Sequence, residues 1–166
     1  MRRWLPHVGL LIGLGLVIYA LFFAQDDTDR IRQQLEALEA AVEVKPQENV
    51  VIRAARVRSA FVEIFSKDVR FEVPELLAGQ SDRKELVKVA SSAPQQFRSA
   101  IIDTDRLQID VDNAGETAVA TGDVTLSGVR LSGEPTRDER TVSIRFDAIE
   151  GQWRIVSLTV SMPQGM

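Results

Sequence analysis

Carboxylates are the side chains of this sequence that could most readily do acid–base chemistry. The candidates for a buried general base are Glu72, Asp110, Asp123 and Asp147. A base that forms an enolate also needs a hydrogen-bond donor for the developing oxyanion. After residue 24 the chain has no histidine, tyrosine or cysteine for that role. Asp110 and Asp147 alternate with apolar neighbours, which favours a solvated strand face, so we expect no catalytic residue.

A second cluster of carboxylates could hold a hard cation. Its members are Asp103, Asp105, Asp110 and Asp112. Successive strand residues point to opposite faces, so only Asp110 and Asp112 would share one. Two carboxylates without further ligands make a poor site for calcium or magnesium. We therefore expect neither a metal site nor a cofactor.

Composition excludes several further classes of function. The 166 residues include 20 Lys and Arg against 24 Asp and Glu, a net charge of −4, and no cysteine. Without cysteine there is no disulfide, thiolate zinc site or cysteine nucleophile. The mild acidity argues against nucleic-acid binding, which needs an excess of cations facing phosphates.

The first 24 residues read as a membrane segment. Arg2 and Arg3 precede a 21-residue stretch, Trp4–Ala24, in which only His7 and Tyr19 can ionise. As a helix this stretch is about 31 Å long, close to the hydrocarbon thickness of a bilayer. The arginines predict a cytoplasmic N-terminus and an exported remainder. A cleaved signal peptide is the alternative, although Phe22–Ala24 places a bulky residue where cleavage requires a small one.

Two glycines of this segment have the spacing of a helix-dimer motif. Gly9 and Gly13 are four residues apart, which lets two membrane helices approach closely. The alternative is that both are simply tolerated in a membrane helix.

The next part of the sequence has helical periodicity. Residues 25–45 form a predicted juxtamembrane helix, whose stripe of Ile31, Leu35, Leu38 and Val42 packs on its own domain or on a second copy. Arg30, Arg32, Glu36, Glu39 and Glu43 are expected elsewhere on its surface. A domain spanning 46–166 then begins with a helix over 47–66. Its expected core face is Val50, Ala54, Val57, Phe61, Ile64 and Phe65, with Arg53, Arg56 and Glu63 largely in water.

Shorter elements follow, and apolar residues then recur at every second position, which is typical of strands. We expect a strand over 69–73, a helix capped by Ser81 or Asp82, and a short helical piece carrying Phe97 and Ile101. Four strands over 107–111, 117–131, 142–146 and 153–160 then predict an antiparallel meander. Gly122 and Gly128 could mark bulges or bends in its longest strand.

This order of elements resembles the nuclear transport factor 2-like (NTF2-like, cystatin-like α+β) fold over about residues 46–162. The segments that carry the resemblance are Phe61–Phe65, ahead of a short strand with Phe71, and the closing Gly151–Leu158. The resemblance implies a cone of helices on a curved antiparallel sheet of four to five strands, preceded here by one transmembrane helix. It also implies an apolar pocket, which Phe61, Phe65, Phe71, Phe97, Phe146 and Trp153 could line. The alternative is that these aromatic residues form the core.

Proteins of this fold include isomerases and dehydratases as well as pure interaction modules. Some periplasmic subunits of type IV secretion systems and small mycobacterial transport-accessory proteins join one membrane helix to such a domain. We therefore expect a single-pass protein of the bacterial inner membrane with a periplasmic, non-enzymatic domain that binds a protein partner or itself. Membrane lipid would contact residues 4–24. The alternatives are a binder of a small apolar or lipid-like ligand and a carboxylate-based isomerase or hydrolase.

Overall fold

A computed structural model describes residues 26–73 and 82–163 of the chain. The predicted membrane segment, with Gly9 and Gly13, lies outside these residues. Within them, no helix combines the length and the hydropathy that a membrane span requires.

In the described ranges, three α-helices and one short 3-10 helix cover one face of a sheet. The helices are α1 (Asp27–Val42), α2 (Val50–Ile64) and α3 (Arg83–Ser92), and α3 runs into a 3-10 turn at Ala93–Gln95. Each α-helix begins after an acid or amide whose side chain accepts a backbone N–H of the first turn, namely Asp26, Asn49 and Asp82. The stripe predicted for α1 packs on the same domain, since Ile31 and Leu35 are fully buried.

The part of the chain that the structure describes contains six strands, which form one curved, unclosed sheet. They are β1 (Phe65–Glu72), β2 (Phe97–Asp103), β3 (Gln108–Val111), β4 (Thr117–Arg130), β5 (Pro135–Ile149) and β6 (Gln152–Ser161). Their order is β1-β6-β5-β4-β2, and β3 also pairs with β4. The predicted meander is present in β3 to β6. The sheet is mixed rather than antiparallel, because β1 runs parallel to β6. No hairpin joins these two strands, so connectivity does not force them to be antiparallel.

The segment carrying Phe97 and Ile101 is a strand, and its prediction as a helix was wrong. This strand, β2, pairs with the second half of β4 from Phe97↔Arg130 to Asp103↔Thr125. Local periodicity did not reveal this pairing, because the two strands are separated by the whole of β3 and its turn.

Two glycines in β4 allow both β2 and β3 to pair with the same edge of that strand. Gly122 has φ +148° and lies between the part of β4 that pairs with β3 and the part that pairs with β2. A Cβ there would lie 3.0 Å from the Arg106 carbonyl oxygen, and one at Gly128 would lie 2.5 Å from that of Ser99. Both positions therefore require glycine, and the bend at Gly122 curves the sheet.

The core lies between the helices and the concave face of the sheet. Phe146 and Ile155 from the sheet and Val57 from α2 are almost completely buried. The Trp153 indole nitrogen donates a hydrogen bond to Asp27 Oδ1 at 3.1 Å, which holds the start of α1 beside the start of β6.

The face of α2 that meets the core differs from the prediction at two positions. Val50 is 62% exposed, whereas Arg53, expected in water, is only 2% exposed. The Arg53 guanidinium donates to the carbonyl oxygens of Val42 and Ala90, both at 2.7 Å. Val42 is the last residue of α1, so its carbonyl has no donor within the helix, whereas the Ala90 carbonyl, in the last turn of α3, also accepts from the Ala93 backbone N–H. Arg53 thus joins the ends of two helices.

Neighbouring charges complete this junction. Arg56, also expected in water, is half-buried and donates to both carboxylate oxygens of Glu48 at 2.8 Å and to the Glu43 carbonyl at 3.1 Å. Burial, followed by the repulsion of Arg56, lowers the pKa of Arg53, and Glu48 offsets part of that shift. Arg53 Nε has no hydrogen-bond partner among the described residues, and Glu48 Oε2 lies 3.9 Å away.

The turn between β3 and β4 provides a prediction of pH dependence. Asp112 accepts hydrogen bonds from the backbone nitrogens of Thr117 (3.2 Å) and Glu116 (2.8 Å), and these bonds, with that from Thr117 the larger cause, lower its pKa below the ordinary 3.8. A carboxyl group whose pKa is lower in the folded chain than in the unfolded chain stabilises the fold at pH values above its ordinary pKa. That contribution is lost as the pH falls through the pKa of the folded state. We expect Asp112→Ala to lower the unfolding temperature at neutral pH but not at a pH well below 3.8. A pH-independent difference in thermal unfolding would contradict this, and Asp110→Ala, on the exposed neighbouring strand, is the control.

Candidate ligand-binding cavity

An apolar cavity of about 320 Å³ lies between the helices and the distal half of the sheet. Hydrocarbon side chains from α1, α2, α3, β1, β2, β4 and β6, and from the residues that follow α1 and α3, form most of its wall. They are Leu38, Val42, Val44, Phe61, Phe65, Leu86, Val89, Ala90, Ala93, Phe97, Ala100, Ile102, Leu126 and Leu158. The cavity is therefore the interior of the cone, left open because the sheet curves away from the helices.

Regular helical spacing places several of these side chains. Leu38 and Val42 are four residues apart on α1, and Phe61 and Phe65 have the same separation at the end of α2, so each pair shares a face. The two phenylalanine rings stand 4.8 Å apart at an angle of 50°. Together these residues form a continuous wall between the two helices.

The structure divides the six aromatic residues predicted as pocket lining into two sets. Phe61, Phe65 and Phe97 line the cavity. Phe71, Phe146 and Trp153 are buried in the core and do not line it.

One carboxylate reaches the cavity wall, and it belongs to Glu39. Its Oε1 accepts two hydrogen bonds of 2.6 Å, from the backbone nitrogen and the hydroxyl of Thr104. Thr104 is 6% exposed. The second oxygen, Oε2, has no hydrogen-bond partner among the described residues. Glu39 and Thr104 are the only polar side chains among the described residues that line the cavity.

Sequence reasoning placed Glu39 on the wet surface of α1 and missed Thr104. A signal for Glu39 was present, since it follows Leu35 by four residues and precedes Val42 by three, and so lies on the apolar face. Its partner could not be found in this way, because Thr104 is 65 residues away and is brought there by β2.

The carboxylates predicted as bases lie elsewhere. Glu72 and Asp110 are exposed on the sheet, Asp123 accepts a hydrogen bond from the Thr141 hydroxyl at 2.7 Å, and Asp147 pairs with Arg145 at 3.2 Å. None of them lines the cavity.

The structure does not gather the acidic cluster of residues 103–112 into a cation site. Asp103 accepts a hydrogen bond from the Asp105 backbone nitrogen at 3.0 Å, and both residues are exposed. In the described parts of the chain, no three His, Cys, Asp or Glu side chains come close enough to hold a metal ion.

Comparison with known proteins identifies the fold but no family. No protein-family model matches the chain, and no curated protein matches its sequence. An NTF2-like superfamily protein from Salmonella enterica subsp. enterica serovar Typhimurium is similar in structure, with a TM-score of 0.66 and 18% identity over 84% of this chain and 93% of that one.

Two further solved structures have the same architecture. A type 2 hexachlorocyclohexane dehydrochlorinase has a TM-score of 0.63 and 12% identity, covering 82% of this chain and 93% of that one. The association domain of C. elegans CaMKII has a TM-score of 0.60 and 12% identity, covering 81% and 94%. At these identities the likeness concerns the fold alone. The chain has the NTF2-like α+β fold.

Proposed function

We propose that this protein is a membrane-anchored, non-enzymatic module that binds a small apolar molecule carrying a hydrogen-bond donor. Residues 4–24 would span the bacterial inner membrane, with the N-terminus in the cytoplasm and the domain in the periplasm. The length of that apolar stretch and the arginines ahead of it support this placement. A protein partner or self-association stays a prediction from the sequence, to which we assign no surface.

The cavity is the observation that carries the proposal. Its volume of about 320 Å³ falls at the lower end of the range of small-molecule sites, about 300–1,000 Å³. Hydrocarbon walls give water few hydrogen-bond partners, so an apolar molecule gains by replacing water there.

Glu39 restricts the class of ligand. Its Oε1 accepts from Thr104, whereas Oε2 has no partner among the described residues and would be the acceptor for a hydrogen bond from a bound molecule. A hydroxyl or amine could supply that bond, but a ketone, ester or ether could not. The best ligand is therefore an apolar body with a single donor group, such as a medium-chain alcohol.

A carboxylate-based isomerase or hydrolase is the second candidate, because Glu39 is the one acidic residue among the described residues that line the cavity. Such an enzyme also needs a donor for the oxyanion. Among the described lining residues the Thr104 hydroxyl is the only side-chain donor, and it is directed at Glu39 itself. The similar structures include both a dehydrochlorinase and an association domain, so the fold does not decide between catalysis and binding.

Binding of a matched pair of ligands tests this function. We expect decanol to bind the full chain in lipid nanodiscs about tenfold more tightly than decyl methyl ether, because one extra hydrogen bond to a carboxylate contributes about 1.5 kcal/mol. Glu39→Gln should abolish this preference, since its amide can donate to the ether oxygen. Isothermal titration calorimetry, with empty nanodiscs as the blank, gives both dissociation constants.

Glu36→Gln is the matched control, because Glu36 is exposed on the same helix. It should keep the preference for the alcohol. Equal affinities of the unmodified chain for alcohol and ether would contradict the role of Glu39, and no binding of either would contradict the function.

A further inference from the structure

The outer face of the sheet, opposite the cavity, carries a groove of about 770 Å³ that is rich in basic residues. It lies across the starts of β1 and β6 and the end of β5, with Arg83 at the start of α3 also in its wall. We call it the basic groove, and its lining is Ser66, Lys67, Asp68, Arg70, Arg83, Arg145, Ile149, Glu150, Arg154, Val156 and Ser157.

The charge of the basic groove is opposite to that of the protein. Among the described residues five cations and two carboxylates line it, whereas the whole chain carries −4. Asp147, beside the groove, neutralises part of Arg145 through an ion pair of 3.2 Å. The exposed Arg70 and Lys67 have no ion-pair partner among the described residues. A concave surface with this excess of cations attracts anions.

Internal contacts fix the remaining cations in place. Arg154 donates to the Val62 carbonyl at 2.8 Å, and Arg83 donates to the carbonyls of Val62 and Phe65 at 3.3 and 3.2 Å. A neutral carbonyl does not cancel their charge. The groove therefore combines two arginines held by backbone carbonyls, Arg83 and Arg154, with the exposed side chains of Lys67 and Arg70.

The position of the basic groove relative to the chain start indicates its partner. Arg154 and Glu150 line the groove, and Trp153 between them donates a hydrogen bond to Asp27 in the first turn of α1. The groove thus reaches the end of the domain at which α1 begins. If residues 4–24 span the membrane, this end lies against the bilayer surface.

We propose that the basic groove docks on anionic phospholipid headgroups of the membrane in which the chain is anchored. This inference rests on the membrane anchor of the proposed function, but not on the ligand of the cavity. A lipid phosphate is a strong acceptor for arginine, and several headgroups can occupy an open groove at once. Docking would hold the domain flat on the membrane, with the basic groove facing the lipid.

Single-cysteine labelling tests the proposal directly, because the chain has no cysteine of its own. Fluorophores are attached at Ser66→Cys, in the groove, and at Val51→Cys, a 76%-exposed position on α2. The full chain is reconstituted in phosphatidylcholine vesicles with or without phosphatidylglycerol, and quenching by headgroup spin-labelled lipid is measured. We expect phosphatidylglycerol to increase quenching at position 66 at least threefold, with little change at position 51.

Two charge-reversal variants distinguish an effect of the basic groove from an effect of the net charge of the protein. Arg70→Glu with Arg145→Glu should abolish the increase, as should high salt, which screens exposed charges. Arg58→Glu with Lys88→Glu changes net charge equally at exposed positions outside the groove and should preserve it.

Each result decides one part of the account. Quenching that does not depend on phosphatidylglycerol, or that both double variants reduce equally, would overturn docking while leaving the anchor intact. Release of the chain from the vesicles by alkaline carbonate would overturn the anchor, and the docking proposal with it.

Discussion

Arg53→Met is expected to lower the free energy of unfolding by about 3 kcal/mol, because two hydrogen bonds from a charged donor are lost at about 1.5 kcal/mol each. The substitution leaves the Val42 and Ala90 carbonyls without the donor that joins them. For a domain of this size the unfolding temperature should fall by roughly 10 °C. Urea unfolding of the full chain in detergent, followed by circular dichroism, measures the change.

Two further variants show whether the junction, rather than the charge, is responsible. Arg53→Lys keeps the charge but cannot donate to both carbonyls through a fork, so we expect an intermediate loss. Arg58→Met removes an exposed arginine of the same helix and should change stability by no more than about 0.5 kcal/mol. Equal effects of the methionine substitutions at 53 and 58 would show that the junction does not stabilise the fold.

The same junction bears on binding. Val42 and Ala90, whose carbonyls Arg53 holds, both line the cavity. Arg53 therefore fixes the separation of α1 and α3 at the cavity wall. Loss of the Arg53 hydrogen bonds is therefore expected to change the volume of the cavity as well as the stability of the fold.

Ala90→Phe is expected to weaken decanol binding at least tenfold. Ala90 lies on α3 at the cavity wall, so a phenylalanine side chain there would occupy space that the ligand needs. The backbone carbonyl that accepts from Arg53 is unchanged, so the fold should be retained. Calorimetry gives the affinity, and circular dichroism verifies the fold.

Lys88→Phe is the matched control for this substitution. Lys88 is exposed on the same helix and does not line the cavity, so the same side chain should leave the affinity within about twofold. Unchanged binding to the Ala90→Phe variant would place the ligand outside the cavity.

Local patterns predicted the parts of this fold that depend on neighbours in sequence. The stripe of α1 and the four-strand meander, β3 to β6, are confirmed, because the stripe is the buried face of its helix and short turns join successive strands. The NTF2-like fold follows from that order of elements and is confirmed by the similar structures.

Pairings between distant segments were beyond this kind of reasoning. The strand β2 was predicted as a helix because its partner in β4 is not adjacent in sequence. Arg53 was assigned to water because charged residues usually are, whereas its acceptors are 11 and 37 residues away. The hydrogen bonds of Glu39 also come from a distant residue, Thr104, which is 65 residues away in sequence. The polar end of the cavity was therefore visible only in the structure.

A crystal structure of the full chain soaked with decanol tests the central claim most directly. The account predicts one alcohol in the cavity, with its carbon chain against Phe61 and Phe65 and its hydroxyl about 2.7 Å from Glu39 Oε2. A cavity that contains only ordered water at saturating decanol, or an alcohol whose hydroxyl points away from Glu39, would contradict it.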